Sequence, residues 1–120
     1  MIESLSCVHT DSSASTVLGK PPAPCTIYLE PSAVVIERDV DQTTFRLPNT
    51  ALISARADRL WRRPRLTIRY AIDSPEQDVD CVVLQFDHSR RRGAGEYAAE
   101  INARADDAMR FRRRFPVPGP

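Results

Sequence analysis

A chain of 120 residues with a formal net charge of +1 is the length of one domain and has no global basic field of the kind that drives nucleic-acid binding. Charged residues at 28% and apolar residues at 42% are ordinary for a water-exposed globular fold, and no run approaches the ~20 apolar residues that a membrane span needs. Three cysteines, Cys7, Cys25 and Cys81, form an odd set without CxxC spacing, which argues against a disulfide framework and for a reducing compartment.

In chain order, residues 1–24 are rich in Ser and Thr and end in Lys20-Pro21-Pro22-Ala23-Pro24. That composition predicts a flexible arm and a stiff linker, with room for one short strand near Glu3–Val8 or Ser15–Leu18. Order is expected to begin at Cys25. Ile27 and Leu29 alternate with Tyr28 and Glu30, Pro31-Ser32 makes a tight turn, and Ala33–Val40 returns with Val34, Ile36 and Val40 inward. Thr43–Leu47 is a short strand facing inward through Phe45 and Leu47, and Pro48 ends it because proline has no ladder donor. Thr50–Ala57 follows with Ile53 inward and Arg56 outward.

The clearest strand is Arg65–Asp73. Leu66, Ile68, Tyr70 and Ile72 share one face, while Arg65, Thr67, Arg69 and Asp73 share the other. Ser74–Asp78 is turn chemistry, and Val79–Asp87 is a further strand rich in β-branched residues. Beyond Ser89–Gly93 the period becomes helical, with Tyr97, Ala98, Ile101, Ala105, Ala108 and Met109 on one stripe of a helix over Ala94–Arg110. The Pro-rich residues 115–120 are expected to be loose. The fold class is therefore mainly β, six or seven antiparallel strands curled into a partly open barrel that one C-terminal helix caps, with 25–114 as the ordered domain.

This order of elements resembles the pleckstrin-homology-like superfamily, especially small bacterial PH and GRAM-type domains. The resemblance spans roughly residues 25–112. It rests on Ile27-Tyr28-Leu29-Glu30 turning into Ala33-Val34-Val35-Ile36-Glu37, on Phe45-Arg46-Leu47-Pro48 and Ala51-Leu52-Ile53-Ser54-Ala55, and on Leu66–Tyr70, Val82–Phe86 and the final helix. It implies a binding module with no chemistry of its own. Phosphoinositide-binding members gather Lys and Arg between their first two strands; here that loop is Glu30-Pro31-Ser32, acidic and short, so the resemblance does not extend to that headgroup site.

Arginine is the candidate working residue. Lys20 is the sole lysine among the 17 basic residues, so the other 16 are arginine, whose planar fork suits phosphates and carboxylates. Two clusters stand out. In Arg59-Leu60-Trp61-Arg62-Arg63-Pro64-Arg65 an indole lies among guanidinium groups, a composition that suits an anionic lipid interface. In Ser89-Arg90-Arg91-Arg92-Gly93-Ala94-Gly95 three arginines precede a helix start, where free N–H groups attract anions. The bland alternatives are a Trp61 that caps the core and arginines that are simply solvated.

Gly93-Ala94-Gly95-Glu96-Tyr97-Ala98 fits a GxGxxA string, but no parallel strand carrying an acidic residue follows it, so the dinucleotide reading is rejected. Arg110 and Arg112–Arg114 complement a helix C-terminus, and specific nucleic-acid binding is not expected. Catalysis has little support. Cys81 and His88 sit about seven residues apart on one strand, on the order of 23 Å, too far for a nucleophile and its base. Cys81 is expected to be buried, Asp78-Asp80 and Asp106-Asp107 to be solvated, and no spacing suggests a metal or cofactor site.

These observations lead to an expected non-enzymatic interaction module that binds a protein segment or an anionic membrane surface. It would be cytoplasmic, with peripheral membrane attachment left open, and lacks a secretory leader pattern. The rival is a small enzyme or ligand-binding barrel with an apolar cavity between sheet and helix.

Overall fold

The computed structural model describes residues 2–12, 18, 21–60, 63–71 and 79–114. Seven strands run β1 (Leu5–Ser12), β2 (Ala23–Glu30), β3 (Ala33–Arg38), β4 (Thr44–Pro48), β5 (Leu52–Leu60), β6 (Arg63–Ala71) and β7 (Val79–Gln85), followed by α1 (Arg91–Arg114). Short 3-10 turns at Asn49–Ala51 and His88–Arg90 lead into β5 and α1. All strand pairs are antiparallel, in one unclosed sheet of order β4-β3-β2-β1-β7-β6-β5. The mainly-β class with a single C-terminal helix thus stands.

The short strand for which the sequence left room near Glu3–Val8 is present and longer, Leu5–Ser12, so order begins before Cys25. This strand joins the two halves of the sheet, pairing with β2 on one side and β7 on the other. Leu5, Cys7 and His9 point inward and are buried, while Ser6, Val8 and Thr10 face out. The β2–β3 hairpin turns on Pro31-Ser32 as its sequence suggests, with Leu29 opposite Val34 and Ile27 opposite Ile36. Val40 does not point inward. β3 ends at Arg38, a turn in which Gln42 takes a φ of 60° sends the chain back, and Val40 is left 81% exposed. In β5 a register irregularity between Leu52 and Ser54 places Leu52 and Ala55 in the core, and Ile53 is only half-buried. In β6, Leu66, Ile68 and Tyr70 are buried as the alternation requires; Ile72 and the Ser74–Asp78 turn lie outside the described residues.

The core gathers Leu5, Ile27, Ile36, Leu66, Ile68 and Leu84 from five strands against Tyr97 and Ile101 of the helix. Each such side chain contributes roughly 1.5–3 kcal/mol on leaving water. Across the interior Phe45 of β4 meets Tyr70 of β6 edge to face, with ring centroids 5.4 Å apart. The helix starts three residues earlier than its apolar stripe suggests, so Arg91 and Arg92 belong to its first turn. Ala94, Tyr97, Ala98, Ile101 and Ala105 are buried, and the small alanines let the helix lie close to the sheet. Met109 leaves that pattern at 51% exposed, Ala108 beside it is half-buried, and Ala105 is the last buried position among the helix residues whose burial is described.

Polar side chains clasp the helix to the sheet at three points. The Tyr97 hydroxyl donates between the carbonyls of Glu3 (2.7 Å) and Ile27 (3.0 Å), and burial raises its pKa to about 12. The Asn102 amide accepts from the Ala55 N–H (2.8 Å) and donates to the Ala55 carbonyl (2.9 Å). Arg104 Nη1 donates to the carbonyls of Glu30 (2.6 Å) and Ala33 (3.1 Å) and to Asn49 Oδ1 (3.2 Å), tying α1 to the β2–β3 turn. Asp80, expected to be solvated, is instead buried. It accepts from the Tyr70 hydroxyl (3.3 Å) and from the Cys81 N–H (2.7 Å), and burial together with that carboxylate pushes the Tyr70 phenol well above its ordinary value.

Candidate functional site

The two arginine-bearing connections come to the same end of the sheet. Arg59 opposes Pro64 and Leu60 opposes Arg63 where β5 turns into β6. The Phe86 N–H donates to the Pro64 carbonyl at 2.8 Å, so the end of β7 and the His88–Arg90 turn lie beside that hairpin. Arg59, Arg63, Arg90, Arg91 and Arg92 are all exposed. Among the described residues, Arg59, Arg63, Arg90 and Arg91 have no carboxylate within 4.0 Å, and Arg92 meets Glu96 at 3.4 Å across one helical turn. Trp61 and Arg62 lie outside the described residues.

Arg65 has a different role. Its Nε and Nη2 each donate to Asp58 at 2.7 Å in a two-pronged pair directly across the strands. Those hydrogen bonds hold the Asp58 carboxyl below its ordinary value of 3.8. A folded value below the unfolded one means that the pair's stabilisation is full above the unfolded carboxylate range and is lost as pH falls through the depressed value. Asp58→Asn is therefore expected to lower stability by at most about 1 kcal/mol near neutrality, the two side chains being partly exposed. The difference should close in acid, and a melting-temperature series against pH would reveal it. A gap unchanged into strong acid would contradict the assignment.

The start of the arginine-rich turn is already capped. The Asp87 carboxylate accepts from the Ser89 N–H (3.0 Å) and hydroxyl (3.1 Å), which holds its pKa down, with smaller help from Arg63 and His88. An external anion would compete with this internal carboxylate, so exposed guanidinium groups, rather than the bare turn, are what the segment offers.

Two depressions flank this end. One of about 500 Å³ is bounded by β1, the β2 residue Pro24, Asp39, Arg63 and the stretch Gln85–His88. A smaller one of about 260 Å³ lies between Glu3, Arg90, Arg92 and Glu96, where charges of both signs alternate. The smaller one touches Leu5 of β1 as well as Gly93 and Glu96 of α1, and a further depression of about 450 Å³ lies between α1 (Glu100, Arg104, Asp107) and the Pro31 and Asn49–Thr50 turns, whereas Tyr97 and Ile101 in the helix–sheet interior are fully buried.

Cys7 and Cys25 are directly opposed on β1 and β2, both buried, and burial raises both thiol pKa values; as thiols they are poor nucleophiles. Cys81 is only half-buried, on the outer face, rather than in the core. Among the described residues no three His, Cys, Asp or Glu side chains gather as a metal ion would require, and no helix is long and apolar enough to cross a membrane.

Sequence reasoning singled out Arg59, Arg63 and Arg90–Arg92 but did not foresee that they share one end. It also missed Asn102 and Arg104, whose partners are 47 and up to 74 residues away and leave no short-range trace. No protein-family model matches this chain, and no curated protein is similar enough to it to count as a relative.

Proposed function

We propose that this chain is a non-enzymatic interaction module of the pleckstrin-homology-like kind, and that it meets an anionic membrane surface with the arginine-rich end of its sheet. The observation that carries this reading is the convergence on that end of Arg59, Arg63, Arg90, Arg91 and Arg92, all exposed and, among the described residues, with no carboxylate within 4.0 Å except Glu96 beside Arg92. A basic side chain held near an anionic leaflet contributes about 1 kcal/mol, so five give a reversible, salt-sensitive association. The order of elements, seven antiparallel strands and then a helix packed on the sheet, is in keeping with the resemblance to PH and GRAM-type domains.

The version in which a protein segment extends an outer edge of the sheet has less behind it. On β5 the Asn102 amide already holds both main-chain groups of Ala55. On the other side β4 has five residues, an outward Arg46 paired with Glu30, and Pro48, the usual means of blunting an edge.

Vesicles of phosphatidylcholine with and without phosphatidylserine test the reading. Co-sedimentation is expected only with the anionic lipid, and added salt should reverse it. Each of Arg63→Ala and Arg91→Ala should weaken partitioning about fivefold. Absence of binding to anionic vesicles at low ionic strength would exclude the membrane role.

A further inference from the structure

The sheet is missing one rung in its middle. The Asp39 N–H donates to the Pro24 carbonyl (3.0 Å), so the even residues of β2 bond toward β3 and Cys25 and Ile27 bond toward β1. By the same alternation Leu5 and Cys7 bond toward β2, and Ser6 and Val8 present their main-chain groups to β7. Val8 finds Gln85 there. Ser6 would find Asp87, but Asp87 has left the ladder. Its side chain caps the following turn, and its carbonyl accepts from the Arg90 N–H at 2.8 Å. Pairing of β1 with β7 accordingly stops at Val8, and Ser6, Cys7 and Val8 of β1 line a depression of about 500 Å³ together with Gln85–His88.

We propose that this gap is a docking notch for a short extended peptide segment carrying a lysine or arginine, beside the proposed membrane surface and sharing Arg63 with it. The segment replaces the missing rung, exchanging main-chain hydrogen bonds with the N–H and C=O of Ser6, as added strands do. The outward Val8 and Pro24 supply apolar wall. The charge preference follows from the remaining lining. In the lining Arg63 and Asp87 carry opposite charges without forming an ion pair, whereas the neighbouring Arg38 is engaged by Asp41, so that Asp39 has no basic partner within 4.0 Å among the described residues. Asp39 is exposed at the β3–β4 turn and held toward β2 by the Thr26 hydroxyl at 2.9 Å. The volume lies in the ordinary range for ligand pockets, about 300–1,000 Å³.

The probes are three blocked tripeptides, acetyl-Val-X-Val-amide with X as Lys, Leu or Glu, titrated into the ¹⁵N-labelled full chain. The lysine peptide is expected to shift the amide signals of Ser6, Val8 and His88 saturably, the leucine peptide more weakly, and the glutamate peptide least. Asp39→Asn, which keeps an oxygen for Thr26, should weaken the lysine peptide about two- to fivefold and leave the leucine peptide unchanged. Equal responses to lysine and glutamate, no response at Ser6, or shifts confined to Arg59, Arg63 and Arg90–Arg92 would each overturn the notch. Vesicle binding is measured separately, so either surface can fail alone.

Discussion

Replacing Ile101 with alanine is expected to lower the unfolding free energy by about 2–5 kcal/mol, a large part of the stability of a domain this size. Ile101 has no exposed surface and sits at the middle of the buried helical stripe, where the surrounding strands cannot collapse onto the space left behind. At roughly 4 °C per kcal/mol the melting temperature should fall by about 8–20 °C, measurable by circular dichroism. Met109→Ala is the control. Half-exposed beyond the last buried turn, it should cost within about 0.5 kcal/mol. Equal losses for the two variants would mean that Met109 is packed as tightly as Ile101, contrary to its exposure.

The second large effect belongs to Asn102. Its amide is the rung that β5 lacks on its outer side, and Ala55 is 8% exposed, so Asn102→Ala leaves an N–H and a carbonyl nearly dry and unpaired. A cost of about 2–3 kcal/mol follows from two lost hydrogen bonds and the desolvation penalty that remains. A change in assembly should accompany it, because a bared strand edge is a template for another chain. Urea denaturation reports the first and sedimentation velocity over a range of concentrations the second. A variant as stable and as dispersed as the parent would show that water serves Ala55 equally well.

How far the fold could be read differs strand by strand. β6 was plain because Leu66, Ile68 and Tyr70 alternate with polar residues over the full length of the strand. β1 carries the same period in Leu5, Cys7 and His9, but its inward set is small and partly polar and the surrounding stretch is rich in Ser and Thr, so it read as an arm with room for one short strand near Glu3–Val8 or Ser15–Leu18. Val40 and Met109 mark the opposite error. Val40 continues its period past the point where the chain turns and Met109 is half-exposed where the period puts it inward, and periodicity contains no information about where a partner surface lies.

The candidate site was legible as composition and illegible as arrangement. Clusters of arginine are visible in any order of strands, but whether two of them share an end depends on β7 lying beside β6. Which arginines are paired depends on the neighbours: Arg65 and Arg63 are two residues apart, yet only Arg65 lies across from Asp58. The missing rung at Ser6 could not be read at all, since it arises from Asp87 choosing its own turn over the ladder.

Local pattern alone determined the class of this protein: short alternating strands with tight turns, then one amphipathic helix, because side-chain periodicity is a property of neighbouring residues. Tertiary structure decided which edges are sealed, which guanidinium groups are paired and where the sheet opens. Those outcomes turn on main-chain and polar contacts between residues tens of positions apart, such as Asn102 with Ala55 and Arg104 with Glu30, and their energy exists only once the chain has closed on itself.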